Sequence, residues 1–90
     1  MVEKNITVMN SEGLHTRPAN QFVKLVKQYK STVQIQKNGK EAPGTSLLKI
    51  MKLGVVQGDD LIVRCEGPDE EAAMASIEAL LAGESLEVEQ

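Results

Sequence analysis

The spacing between apolar residues changes from segment to segment along this chain, and those changes restrict its fold more than any other feature. In "VEKNITVM", Val2, Lys4, Ile6 and Val8 share one face with polar residues between them, so residues 2–9 read as a half-buried strand. From residue 15 to residue 30 the period becomes helical. At about 100° per residue, Ala19, Phe22, Val23 and Val26 fall on one side, and Arg17, Asn20, Gln21, Lys24, Lys27 and Gln28 on the other. That is an amphipathic helix with a cationic, hydrogen-bonding outer face. "STVQIQ" returns to alternation through Val33 and Ile35, and Asn38-Gly39 is a strong hairpin signal. Two strands should therefore pair antiparallel there, the second running to about Ala42 before Pro43 and Gly44 end it.

Ser46 can cap a short helix over residues 47–53, which Gly54 can close. "QGDDLIVRCEG" opens with a Gly-Asp turn and continues as a fourth strand with Leu61, Val63 and Cys65 facing one way. "PDEEAAMASIEALLAG" predicts a last helix, with Asp69 as its cap, an acidic first turn, a stripe of Ala73, Ile77 and Leu80, and Gly83 at its end. The order β-α-β-β-α-β-α predicts an α+β fold, a four-stranded antiparallel sheet covered on one face by two long helices and one short helix. One domain over residues 1–84 is expected, followed by an acidic tail, 85–90, expected to be disordered.

Ninety residues support one core and no large internal cavity. Thirteen acidic against ten basic residues, with Phe22 and Tyr29 the only aromatics, argue against a nucleic-acid binder. The single Cys65 excludes an intramolecular disulfide and points to a reducing compartment; the thiol itself reads as a small buried strand residue. No apolar run approaches membrane-spanning length and the N-terminus has no apolar signal core, so a cytoplasmic protein without membrane insertion is expected.

The only histidine, His15, stands in "GLHTRPAN". A lone histidine is usually a surface residue without chemistry, but its neighbours here are informative. Gly13 permits a tight approach from the first strand, and Pro18 is tolerated only in a helix's first turn, so the helix must begin near His15 or Thr16. The free N–H groups of Thr16 and Arg17 and the positive end of the dipole favour an anion at that terminus, and the Arg17 guanidinium suits phosphoryl oxygens. The same terminus disfavours an imidazolium, so the ring is expected to stay neutral and nucleophilic near pH 7. A general-base role is weaker, because the nearest carboxylate in the chain is Glu12 and no serine or cysteine is spaced to form a triad. One histidine and one cysteine do not make a zinc site, and no cofactor is implied.

"GLHTRPA" resembles the active-site signature of the HPr family, the histidine-containing phosphocarriers of the bacterial phosphoenolpyruvate-dependent sugar phosphotransferase system. The resemblance extends in register to "NGK" at 38–40, "SLLKIMKLGV" at 46–55, "GD" at 58–59 and "EGPDEEAA" at 66–73. It implies an open-faced β-sandwich and a monomeric carrier, itself a protein substrate rather than an enzyme with its own turnover. His15 would take a phosphoryl group from phosphorylated Enzyme I and pass it to sugar-specific IIA components, with Arg17 assisting. It also implies a regulatory role for Ser46, which in some members of the family is phosphorylated by HPr kinase/phosphorylase. Pro43, Gly44 and Thr45 depart from the pattern there, where relatives commonly place a lysine beside the serine. The alternative function is an HPr-like interaction module acting through Ser46 on a catabolite-control regulator.

In the short helix, Leu47, Leu48 and Met51 fall within one arc and Ile50 and Leu53 within another, separated by Lys49 and Lys52. One arc should bury itself in the core and the other stay exposed. We expect Ile50 and Leu53 to anchor the helix. Leu47, Leu48, Lys49 and Met51, together with Asn20, Gln21, Lys24 and Lys27 of the preceding helix, are expected to form a surface for acidic partners.

Overall fold

A computed structural model of the chain describes residues 1–11 and 13–83. Glu12 and the segment expected to form the acidic tail, 85–90, lie outside the described residues. The elements are β1 (Val2–Thr7), α1 (Thr16–Lys27), β2 (Thr32–Lys37), β3 (Lys40–Pro43), α2 (Leu47–Lys52), β4 (Asp60–Glu66) and α3 (Glu70–Leu81). The strands lie in the order β1-β4-β2-β3, antiparallel at every pairing, with Ile6 opposite Leu61 and Ile35 opposite Val63. Asn38 and Gly39 both take positive φ, 52° and 82°, the turn whose twist matches the two strands it joins.

Alternation along the strands decides which face is covered. Ile6, Val33, Ile35, Ala42, Leu61, Val63 and Cys65 are buried on one side, against Phe22 and Val26 of α1, Ile50 of α2, and Met74, Ile77 and Leu81 of α3. The outward residues are mostly polar, with Ile62 an exception: Arg64 Nε sits 2.8 Å from Glu3 and its Nη1 3.6 Å from Glu41. The sheet is therefore open on one face and covered by three helices on the other, as the periodicity predicts.

The differences from the sequence reading lie at the element ends. β1 stops at Thr7 rather than residue 9, because the Met9 N–H donates to the Leu81 carbonyl at the end of α3 instead of to a strand. α1 stops at Lys27 rather than residue 30, its last turn tightened by Gln28 N–H to Leu25 O and Tyr29 N–H to Val26 O. Lys4, on the inner side of β1, reaches past the sheet edge to Glu78 Oε1 at 3.0 Å. In α3 the buried stripe continues from Ile77 to Leu81, four residues on, while Leu80 is only half-buried.

Asp69 stands at the N-cap position of α3, yet its side chain makes no cap hydrogen bond. Instead its carboxylate accepts from the Ser31 hydroxyl and from the Lys30 N–H at 2.8 Å, joining the start of α3 to the approach to β2. The Glu70 carboxylate accepts from the Gly67 N–H at 3.0 Å. These bonds hold both acids below the usual carboxylate range, chiefly through Ser31 for Asp69 and through Gly67 for Glu70.

A carboxylate held low stabilises the fold when ionised. That contribution is complete above the unfolded value of about 4 and is lost as pH falls through the lower folded value. The melting temperature should therefore be level from pH 7 to about 5 and drop below about 4, with a shallower drop from a lower plateau in Asp69→Asn. Thermal melts across pH 2–7 check this; an acid limb unchanged in Asp69→Asn would assign the lability to other groups.

Candidate functional site

Gly13 approaches the backbone between α2 and β4 closely. Its φ is +61°, and a Cβ there would lie 2.7 Å from Val56 Cα and against the Val55 carbonyl oxygen, so a larger residue meets both strain and a backbone clash. The buried Leu14 donates its N–H to that Val55 carbonyl at 3.1 Å, while Asn10 Nδ2 donates to the Gly13 carbonyl at 2.7 Å. The chain is thus fixed on both sides immediately before His15.

His15 is the N-cap residue of α1, with extended backbone (φ −76°, ψ −168°), and its carbonyl accepts the Ala19 N–H at 2.8 Å. Its side chain is exposed and makes no cap bond, and among the described residues the imidazole has no hydrogen-bond partner. The two amides that follow, Thr16 and Arg17, have no place in the helical ladder, and Pro18 has no N–H at all. Among the described residues neither amide finds an acceptor. An imidazole, two open donors and a guanidinium therefore come from three consecutive residues.

Arg17 borders a groove of about 350 Å³ whose walls include Met9, Asn10, Ser11, Pro18, Gln21 and Leu80. The sequence reading did not place Met9, Asn10 or Ser11 beside Arg17. Their only signal was proximity along the chain to Gly13, whose contact with Val55 folds them back toward α1.

The expected partner surface is assembled by the contact between α1 and α2. Asn20, Gln21, Lys24 and Lys27 are exposed on α1, and Lys49 and Lys52 on α2. Leu48 is 65% and Met51 39% exposed, whereas Ile50 is fully buried and Leu53 packs half-buried against the core. Leu47 departs from the expected division: it is half-buried and also packs against the core. Neither α1 nor α2 contains an acidic residue. Among the described residues Arg17, Lys24, Lys27, Lys49 and Lys52 pair with no carboxylate, while Lys4, Lys37 and Arg64 do. A locally positive face thus coexists with a net charge of −3.

Ser46 caps α2 as the sequence predicts, its half-buried hydroxyl accepting the Lys49 N–H at 3.4 Å; the neighbouring Thr45 is exposed. Cys65 is buried, and desolvation pushes its thiol up, away from nucleophilic use. Among the described residues no helix is long and apolar enough to cross a membrane.

Residues 2–83 match the family described as PTS HPr component, phosphorylation site. The phosphocarrier protein HPr of Vibrio cholerae is 40% identical over 81 residues, which cover 90% of this chain and 95% of that protein. In structure the chain is similar to an HPr from Thermoanaerobacter tengcongensis, with a TM-score of 0.87, 37% identity, and 96% and 100% of the two chains covered. It is similar also to the HPr of Bacillus anthracis, with a TM-score of 0.87, 31% identity, and 89% and 95% covered.

The division of α2 has a stability consequence. Ile50→Ala should cost about 2–5 kcal/mol, and Leu48→Ala no more than about 0.5. Denaturant unfolding of both variants checks this, and equal losses would place Leu48 in the core.

Proposed function

The chain belongs to the HPr family of phosphotransferase-system phosphocarriers, and on that premise we propose that His15 accepts a phosphoryl group from phosphorylated Enzyme I and delivers it to sugar-specific IIA components. The observation that carries this reading is the uncommitted imidazole at the α1 N-terminus beside two open amides. An imidazole nitrogen attacks phosphorus with its lone pair. The P–N bond forms as the bond to the donor breaks, and that electron pair stays with the donor. The Thr16 and Arg17 N–H groups and the Arg17 guanidinium offer hydrogen bonds to the transferred oxygens, in the favourable field of the helix terminus. The protein encloses no substrate. It serves as a substrate for larger partners, which meet it through Asn20, Gln21, Lys24, Lys27, Leu48, Lys49 and Met51, with Leu47 at the buried margin.

Ser46 supports a regulatory layer on the same face. Phosphorylation there by HPr kinase/phosphorylase would add about −1.5 to −2 charge at the start of α2, tolerated locally by the helix terminus but opposed to an acidic partner. A purely regulatory module, acting through a catabolite-control regulator, would have no use for His15 beside free amides, so the carrier reading is preferred.

Incubation with phosphoenolpyruvate and Enzyme I should add one acid-labile phosphoryl group, absent in His15→Ala; a label persisting in that variant would refute the assignment. Arg17→Ala should fold normally and slow transfer about 10- to 100-fold, the scale of ~1.5–3 kcal/mol for a hydrogen bond to a charged group. A wild-type rate would remove Arg17 from the site. Ser46→Asp should keep the melting temperature and raise the KM of Enzyme I for this protein, and unchanged kinetics would count against regulation through repulsion. Leu48→Ala should weaken Enzyme I binding without unfolding the domain, as titration would show.

A further inference from the structure

Of the five ion pairs among the described residues, the one between Lys37 and Asp59 is the most enclosed, its side chains 18% and 25% exposed. It joins distant parts of the chain. Lys37 ends β2 at the Asn38-Gly39 turn, and Asp59 ends the connection between α2 and β4. Lys37 Nζ lies 2.8 Å from Asp59 Oδ2 and also donates to the Gly54 carbonyl at 2.7 Å. The same Asp59 oxygen accepts the Val56 N–H at 2.9 Å, and the Asp59 N–H returns to the Val56 carbonyl at 3.1 Å. One ammonium and one carboxylate therefore hold both ends of residues 54–59. Between those ends lies Val55, whose carbonyl receives the Leu14 N–H and against which Gly13 packs.

We propose that Lys37 and Asp59 are positioning residues for phosphoryl acceptance: they brace residues 54–59 so that the Val55 carbonyl holds Leu14 and thereby sets the His15 imidazole at the N-terminus of α1. The proposal rests on the reading of His15 as the acceptor. Neither residue touches His15. Each acts through a short hydrogen-bonded chain, from Lys37 and Asp59 to Gly54 and Val56, from Val55 to Leu14, and from Leu14 to its covalent neighbour. The bond from Asp59 to Val56 alone would close only a local turn. Lys37 ties that turn to the far hairpin of the sheet, which fixes its place relative to α1. A partly exposed ion pair adds little to global stability, so its effect should appear in geometry, to which in-line transfer is sensitive. The bonds from Lys37 and Val56 hold the Asp59 carboxyl below its usual range.

The test compares wild type with Lys37→Met, Asp59→Asn, the double variant and Lys37→Arg, at a temperature where circular dichroism shows all of them folded. Two measurements are made on the unphosphorylated protein: the exchange rate of the Leu14 amide and the NMR positions of the His15 ring. A third is the kcat and KM of Enzyme I with each variant as acceptor. Lys37→Met should accelerate Leu14 exchange, move the ring signals, and lower kcat about tenfold with KM changed less than about twofold. Asp59→Asn should act in the same direction, the double variant should be no worse than Lys37→Met, and Lys37→Arg should restore most of the loss, as for two residues acting as a unit. Unmoved ring signals with wild-type kcat in Lys37→Met would overturn the proposal, as would a loss confined to KM. The exchange and ring measurements need no phosphoryl donor. They decide the bracing even where His15 took no phosphoryl group, an outcome that would overturn the reading of the site instead.

Discussion

The backbone of Val55 and Val56 is the surface on which the start of α1 and its histidine are set. Gly13 lies directly against it and Leu14 hydrogen-bonds to it, so the first residue free to leave that surface is His15. The surface is itself held by the sheet, through Val8 N–H to Asp59 O and Gly58 N–H to Val8 O, both 2.8 Å. The order of dependence runs from the β1–β4 edge, to the connection ahead of β4, to Gly13 and Leu14, and then to the α1 N-terminus. A flexible tether before His15 would leave the imidazole and the two open amides without a fixed relation. The close contact at Gly13 supplies that relation at the cost of allowing only glycine.

Charge is distributed to the same end. Among the described residues, the acids lie on the outer face of the sheet, at Asp59 and Asp60, and at the start of and along α3, and none lies within α1 or α2. Among the described residues, the five cations on these two adjoining helices pair with no carboxylate. A domain of this size cannot enclose a substrate, but it can present a nucleophile on a cationic, partly apolar face to a larger acidic partner. Leu48 and Met51 supply the apolar component, while Ile50, on the opposite side of the same two turns, fixes the helix that carries them.

Much of this was legible in the sequence because the signals were local. Alternation placed Ile6, Val33, Ile35, Leu61, Val63 and Cys65 on the covered face of the sheet. Asn38-Gly39 marked the hairpin, and Pro18 fixed the start of α1 to within a residue. What failed depended on partners far away in the chain. Asp69 has the position and chemistry of a cap, but Ser31 and Lys30 compete for its carboxylate, a contact across 38 residues that no spacing rule reveals. Leu47 follows the exposed arc of its helix, yet the core beside that short helix is wide enough to take part of it. The pairing of Lys37 with Asp59 was likewise invisible: the Asn38-Gly39 turn that follows Lys37 and the "GD" turn that ends in Asp59 read as unrelated until the sheet brought them together.

The central claim is that His15 carries the phosphoryl group while Thr16 and Arg17 hold its oxygens with their backbone amides. NMR of the uniformly ¹⁵N-labelled protein, before and after phosphorylation by Enzyme I, tests it most directly. The account predicts phosphorus coupling to an imidazole nitrogen of His15, with the largest downfield amide shifts at Thr16 and Arg17 and little change on the open face of the sheet around Arg64. Coupling to any other side chain, or Thr16 and Arg17 amides unmoved while His15 is phosphorylated, would contradict it.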